Sequence, residues 1–139
     1  MHFIGAQAVE SRAFHDLRDD EPSEIVRTLY PRLIAESPGA VAAFQSDAEF
    51  LDVGTPRDYL ETASLIARRE SRALDCGRRV AIATDASVTD SIIWDRVTIG
   101  RGARLRRCIV ADDVSVADGT TLEDKVLVSA AEGVQISAL

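Results

Sequence analysis

Histidine, methionine, tryptophan and lysine are scarce in this chain of 139 residues: His2 and His15, Met1, Trp94 and Lys125 are their sole representatives. Aromatic residues make up 5%, against 46% hydrophobic and 28% charged, a balance that suits one ordinary globular domain or two very small ones. Disorder, collagen and coiled coil are excluded. Apolar runs extend for only a few residues, far short of the ~20 needed to cross a bilayer, and the start Met1-His2-Phe3-Ile4-Gly5 has no basic n-region of a signal peptide. A cytoplasmic protein with no membrane partner is expected.

Cysteine is nearly absent too. Cys76 and Cys108 fall in neither C-x-x-C nor Cys/His metal spacing, and a chain without an export signal keeps its thiols reduced. Both read as small buried or half-buried hydrophobes. The net charge of −7 removes counterion release as a driving force, and no basic stripe with interleaved aromatics is present, so nucleic acid is not an expected partner. A chain this short would be a small enzyme if it bound two substrates by itself.

What is present divides into two unlike halves. In residues 1–68 short extended runs alternate with helical patterns. Phe3 to Val9 reads as a strand. Ser23 is a candidate N-cap for a helix whose apolar face carries Ile25, Val26, Leu29, Tyr30, Leu33 and Ile34, kinked or restarted at Pro31 and ended by Ser37-Pro38-Gly39. Val41 to Gln45 and Glu49 to Val53 suggest a hairpin. Thr55 is an N-cap, Pro56 fits the first helical position and Asp58 closes a T-x-x-D capping box; the helix that follows turns Tyr59, Leu60, Ala63, Ile66 and Ala67 inward. Residues 69–79 are polar and unpatterned and read as a linker.

From residue 80 the period changes. Aliphatic residues recur at Ile82, Val88, Ile93, Ile99, Leu105, Val110, Val116, Leu122 and Val128, six apart with two steps of five. The two short steps recur after 17 residues, so Val88 to Ile93 matches Leu105 to Val110 and Leu122 to Leu127; Gly100/Ala117 and Gly102/Gly119 hold the same register. A hexapeptide aliphatic period with small residues at corners predicts a parallel β-helix, three hexapeptides to a coil of about 18 residues. A β-sandwich would need hairpin signals such as Asn-Gly, which do not occur. The repeat resembles the hexapeptide, left-handed β-helix family. Acyltransferases of that family use a histidine of the β-helix as general base; residues 80–139 hold none, so the coil is read as structural or assembly-related and acyl transfer is the lesser alternative.

The stretch Phe50-Leu51-Asp52-Val53-Gly54-Thr55-Pro56-Arg57-Asp58-Tyr59-Leu60 closely resembles the aromatic-x-Asp-[Ile/Val]-Gly-Thr-Pro-x-x-Tyr-Leu motif of the sugar-phosphate nucleotidyltransferases, in particular the mannose-1-phosphate guanylyltransferase-like branch, which often carries a C-terminal left-handed β-helix. Phe3-Ile4-Gly5-Ala6-Gln7, Leu29-Tyr30-Pro31-Arg32-Leu33-Ile34 and Ser91-Ile92-Ile93-Trp94-Asp95 resemble further segments in the family's order. The resemblance implies an α/β fragment, the C-terminal portion of a Rossmann-like nucleotidyltransferase domain (1–68), followed by a left-handed parallel β-helix (80–139). It implies transfer of a nucleotidyl group to a sugar 1-phosphate, with GTP and mannose 1-phosphate the leading pair of substrates.

By the same resemblance Asp52 matches one of two aspartates that hold Mg²⁺, and Gly5 matches a glycine whose backbone approaches the sugar. Read from the residues alone, Asp52 is a turn carboxylate before the Thr55 helix and Gly5 a strand glycine tolerated for packing. Trp94 is expected to pack where the β-helix meets the first segment. The family's glycine-rich loop, G-G-x-G-T-R-L-x-P, its first metal aspartate and its E-x-P-K segment do not occur here. The expectation is therefore a chain inactive alone, with no catalytic or nucleotide-binding residue of its own, that self-associates or meets a partner supplying the nucleotide-binding half.

Overall fold

A computed structural model describes residues 3–74 and 76–139; His2, and Asp75 within the expected linker, lie outside the described residues. The chain forms two compact units, Met1–Phe50 and Leu51–Leu139. The helix beginning at Pro56, which the sequence pattern grouped with the first segment, therefore belongs with the repeat. No helix among the described residues is long and apolar enough to cross a membrane.

In the first unit a 3-10 turn (Ser11–Phe14) is followed by a π-helical turn (Ile25–Leu29) that runs into α1 (Tyr30–Glu36). Pro31 explains the change of pitch. It has no N–H for the carbonyl of Arg27 and its ring crowds that position, so the preceding turn widens and the Tyr30 N–H reaches back five residues to the Ile25 carbonyl. Ser23 is not the cap. Glu24 takes that place with no side-chain bond, while the Ser23 hydroxyl lies 3.3 Å from that of Thr28. The expected strand at Phe3–Val9 and hairpin at 41–53 are not formed, so the described residues of the first unit contain no sheet. The reason is a lack of partners: strands need their N–H and C=O groups paired, and every strand pairing among the described residues lies between Cys76 and Ala138. Among the described residues of this unit Leu29 alone is buried, and Phe44 is 95% exposed.

The second unit opens with α2 (Pro56–Arg69) and continues as a three-sided parallel β-helix. Its strands are β1 (Ala81–Ile82), β2 (Ser87–Thr89), β3 (Ile92–Ile93), β4 (Thr98–Ile99), β5 (Arg104–Arg106), β6 (Ile109–Val110), β7 (Ser115–Val116), β8 (Thr121–Glu123), β9 (Lys125–Ala130) and β10 (Gly133–Ala138). They sort into three sheets, β1-β4-β7, β2-β5-β8 and β3-β6-β9-β10. Ala81 pairs with Thr98 and Thr98 with Ser115, so each coil is 17 residues long, one fewer than three full hexapeptides. Positive φ marks the corners: Arg96 (58°), Gly102 (65°) and Arg107 (53°) in one coil, Asp113 (62°), Gly119 (69°) and Asp124 (52°) in the next. The side between the second and third corners is five residues long and the other two are six. That geometry is the source of the short steps in the sequence.

Inside, equivalent residues stack. Val97, Ile99, Ala103, Leu105, Cys108 and Val110 of the middle coil are fully enclosed, with Val114 and Val116 beneath them and Val80 and Val88 above. The column through Ile93 and Val110 ends on Leu127 and not on Val128, because a 17-residue repeat requires the shorter step there; Leu127 is 1% exposed. One polar side chain enters this core. The Ser91 hydroxyl donates to the Thr89 carbonyl (2.8 Å) and accepts from the Cys108 N–H (2.9 Å), so it is satisfied twice. Cys108 is buried as expected. Cys76 is exposed, contrary to expectation: it bridges to Ile93 at the start of the first coil, where no earlier coil covers it.

Between coils, aspartates accept backbone N–H groups one repeat earlier: Asp95 from Arg78, Asp112 from Asp95 and Asp118 from Arg101, at 2.8, 2.8 and 2.7 Å. Ion pairs run parallel to these bonds. Arg96 meets Asp113 at 2.6 Å and Asp112 at 3.1 Å, Arg107 meets Asp124 at 2.7 Å, and Arg106 pairs with Glu123. The hydrogen bonds from Arg96 and Arg107 hold the Asp113 and Asp124 carboxyls below the usual carboxylate range. A carboxylate with a depressed folded-state pKa stabilises the fold above its unfolded pKa, and that contribution is lost as pH falls through the folded value. The melting temperature should therefore hold steady from neutral pH down to about pH 5, then fall below about pH 4, and 1 M salt should flatten the change. Thermal melts followed by circular dichroism check this; a melting temperature indifferent to acid would contradict the role given to these pairs.

Candidate functional site

The residues that carry the strongest sequence signal lie at the start of the second unit. Thr55 caps α2: its hydroxyl accepts from the Asp58 N–H (3.2 Å) and donates to Asp58 Oδ2 (2.8 Å), which also accepts the Thr55 N–H (2.9 Å). Pro56 sits in the first turn, where its missing N–H costs nothing. This reciprocal box sets where the helix begins and hence where Leu51-Asp52-Val53-Gly54 is left. Arg57 then ties the helix to the other end of the unit through a 2.9 Å bond to the Leu139 carbonyl.

The face that α2 buries explains the Tyr59-Leu60 part of the motif. Leu60 is 4% exposed and packs on Ile92 and Ile109, with Tyr59, Ala63, Leu74, Val126 and Leu139 around it. Ile92 and Ile109 point out of the β-helix while their neighbours Ile93 and Val110 point in. The third sheet is thus apolar on both faces. The signal for this cover was present in the sequence as the doubled apolar pairs Ile92-Ile93, Ile109-Val110 and Val126-Leu127, since a sheet face turned to water would not repeat them.

Asp52 stands exposed three residues before the cap, and no hydrogen bond or ion pair engages it among the described residues. The turn-carboxylate role is filled by Asp58 instead. No cluster of three or more His, Cys, Asp or Glu arranged to hold a metal occurs among the described residues. One lone carboxylate does not fit magnesium, a hard cation that needs several oxygen ligands, so Asp52 by itself is not a magnesium site. Gly5 lies in the first unit, in an exposed bend with φ of 81°; open space surrounds a Cβ built there, so the left-handed backbone and not crowding is what calls for glycine. Asp52 and Gly5 belong to different units. Tyr30 donates to Gln7 Oε1 within the first unit, and Trp94 is 42% exposed on the β-helix.

No sequence pattern announces a cavity of about 440 Å³ at the start of the coil stack, lined by Ile82, Val88, Ile93, Ala67, Arg68 and Cys76. It is the open end of the interior column. Burial pushes the Cys108 thiol pKa up, which keeps it protonated and unreactive in the core.

Residues 70–128 match the family model described as GlmU-like, C-terminal hexapeptide. The stretch matched covers the coils and the segment that leads into them, and it is a hexapeptide-repeat region. A search of curated proteins found no match to the chain.

Proposed function

We propose that this chain is the C-terminal portion of a cytoplasmic sugar-1-phosphate nucleotidyltransferase, with GTP and mannose 1-phosphate the favoured substrates and a left-handed sense to its coils. One observation carries the reading: a GlmU-like hexapeptide stretch is packed, in one compact unit, against a capped helix that presents Thr55-Pro56 and Tyr59-Leu60 in the order of the nucleotidyltransferase motif. In this reading α2 fixes the segment around Asp52 to a rigid β-helical base, and Gly5 lies on the sugar side. The phosphate-holding loop lies outside these 139 residues. Magnesium belongs to the proposal only as an ion shared with carboxylates outside these 139 residues.

The test is pyrophosphate release from GTP and mannose 1-phosphate. The chain alone should give none, and adding a polypeptide that bears the glycine-rich loop should restore it. Turnover by the chain alone would overturn the division of the site, and absence of turnover in the mixture would overturn the reading itself. Acyl transfer is disfavoured because no histidine lies in residues 80–139.

A further inference from the structure

The last strand is built for a partner of its own kind. β10 is the terminal strand of its sheet, paired on one side with β9 and on the other with nothing among the described residues. All six of its residues are exposed, and Val134 and Ile136 stand 39% and 48% open. Proteins normally blunt such an edge with lysine, proline, a bulge or a very short strand. Here Gly133-Val134-Gln135-Ile136-Ser137-Ala138-Leu139 has no charged side chain and no proline, in a chain of net charge −7. The neighbouring edges β7 and β8 are two and three residues long.

The hydrogen-bond phase of β10 selects the partner. The Leu139 N–H donates to the Asp124 carbonyl (3.0 Å), in register with the pairing of Ser137 with Val126, Gln135 with Val128 and Gly133 with Ala130. In an antiparallel ladder alternate residues turn both backbone groups to the same side. The N–H and C=O of Val134, Ile136 and Ala138 therefore point to the open edge.

A second β10 laid antiparallel with Gln135 opposite Gln135 puts each Val134 opposite an Ile136. Both members of that pair carry outward backbone groups, so four hydrogen bonds form about a two-fold axis. The side chains match as well. Ile136 shares a face with its β9 partner Leu127, the inward face of the coil, so the paired Val134 and Ile136 join apolar to apolar at the ends of two core columns. Uncharged Gln135 and Ser137 occupy the other face. An isologous contact requires a self-complementary strip of this kind, and no charged side chain lies between Gly133 and Ser137, the residues that pair in this register.

We propose that two copies of this chain associate tail to tail through β10, making one continuous sheet across the dimer. The test is sedimentation equilibrium of the 139-residue chain. The expected mass is twice the 15.1 kDa of one chain, and Ile136→Pro should return it to the monomer, because that substitution removes an N–H on the open side and none bonded to β9. Val134→Lys, which charges the strip without touching the backbone, should do the same. A far-ultraviolet spectrum unchanged in both variants shows that the coils remain folded.

A second measurement fixes the register. Gln135→Cys in a Cys76→Ser background should form a disulfide-linked dimer under mild oxidation, since residues directly opposite in a non-hydrogen-bonded pair have Cα atoms about 4.5 Å apart. A monomeric parent chain, a dimer that survives both β10 variants, or a Gln135→Cys chain that stays uncrosslinked would each overturn the proposal. None of these outcomes bears on pyrophosphate release, so this inference stands or falls apart from the proposed activity.

Discussion

Leu105→Ala is expected to cost the β-helix about 3–5 kcal/mol, at the upper end of what truncating a buried leucine does. Leu105 is 1% exposed in the middle coil, held between Val88 and Leu122 in its column and closed in across the interior by Ile99, Cys108 and Val110. The cost of a cavity depends on how far its walls can collapse. In a globular core a helix can shift to fill space, but here each wall is a rung of a parallel ladder fixed by the coil above and the coil below. Little relaxation is available, so both the lost transfer energy and the residual cavity count in full. Urea unfolding followed by circular dichroism gives the number. A loss below ~1 kcal/mol would mean that the coils slide more freely than their register implies, and Leu105→Met, which keeps the volume, should cost less than ~1.5 kcal/mol.

The second large effect concerns a position that a sequence reader passes over as one small corner residue among several. Gly100→Val should destabilise the fold by about 3 kcal/mol, the upper range for forced overpacking. A Cβ at Gly100 would lie 2.5 Å from Asp118 Oδ1, 2.7 Å from the Asp118 N and 2.9 Å from the Ala117 carbonyl carbon. Asp118 cannot retreat without giving up the N–H of Arg101, and two of the three atoms are backbone. The comparison is Gly102, two residues on, where a Cβ meets nothing within 4 Å but φ is 65°. Substitution there meets strain and no clash, about 1–2 kcal/mol for a residue with a Cβ and less for Asn. Gly100→Ala and Gly102→Asn in parallel urea titrations separate the two causes: the first should be the more damaging, and the reverse order would show that conformation and not space governs this corner.

The contrast between these glycines marks how far the sequence reaches. Gly100/Ala117 and Gly102/Gly119 were legible as register marks, because a repeat is visible in any pair of equivalent positions. Why each is small was not, since one answer is a backbone angle and the other a carboxylate 18 residues away in the chain. The cap of α2 was legible down to Thr55, Pro56 and Asp58, because a capping box is made by residues three apart and needs no tertiary partner. The strand at Phe3–Val9 and the hairpin at 41–53 failed for the opposite reason. Extended chain with alternating apolar residues becomes a strand only against another strand, and none is at hand. For the candidate site the division is similar. Asp52 stood out through the segment around it, but whether other ligands meet it is a question about distant residues, and no three-group metal cluster is found among the described residues.

The β-helix could be read directly from the residues, because a solenoid's contacts are between residues a fixed 17 apart and are therefore written as a period. So could the start of α2, which local hydrogen bonding sets. Tertiary structure alone decided that α2 covers the outward face of Ile92 and Ile109, that Cys76 is exposed while Cys108 is buried, and that the open groups of β10 are those of Val134, Ile136 and Ala138. Each of these depends on which side of a sheet or which end of a stack a residue meets. That is settled by what packs there, and no local pattern records it.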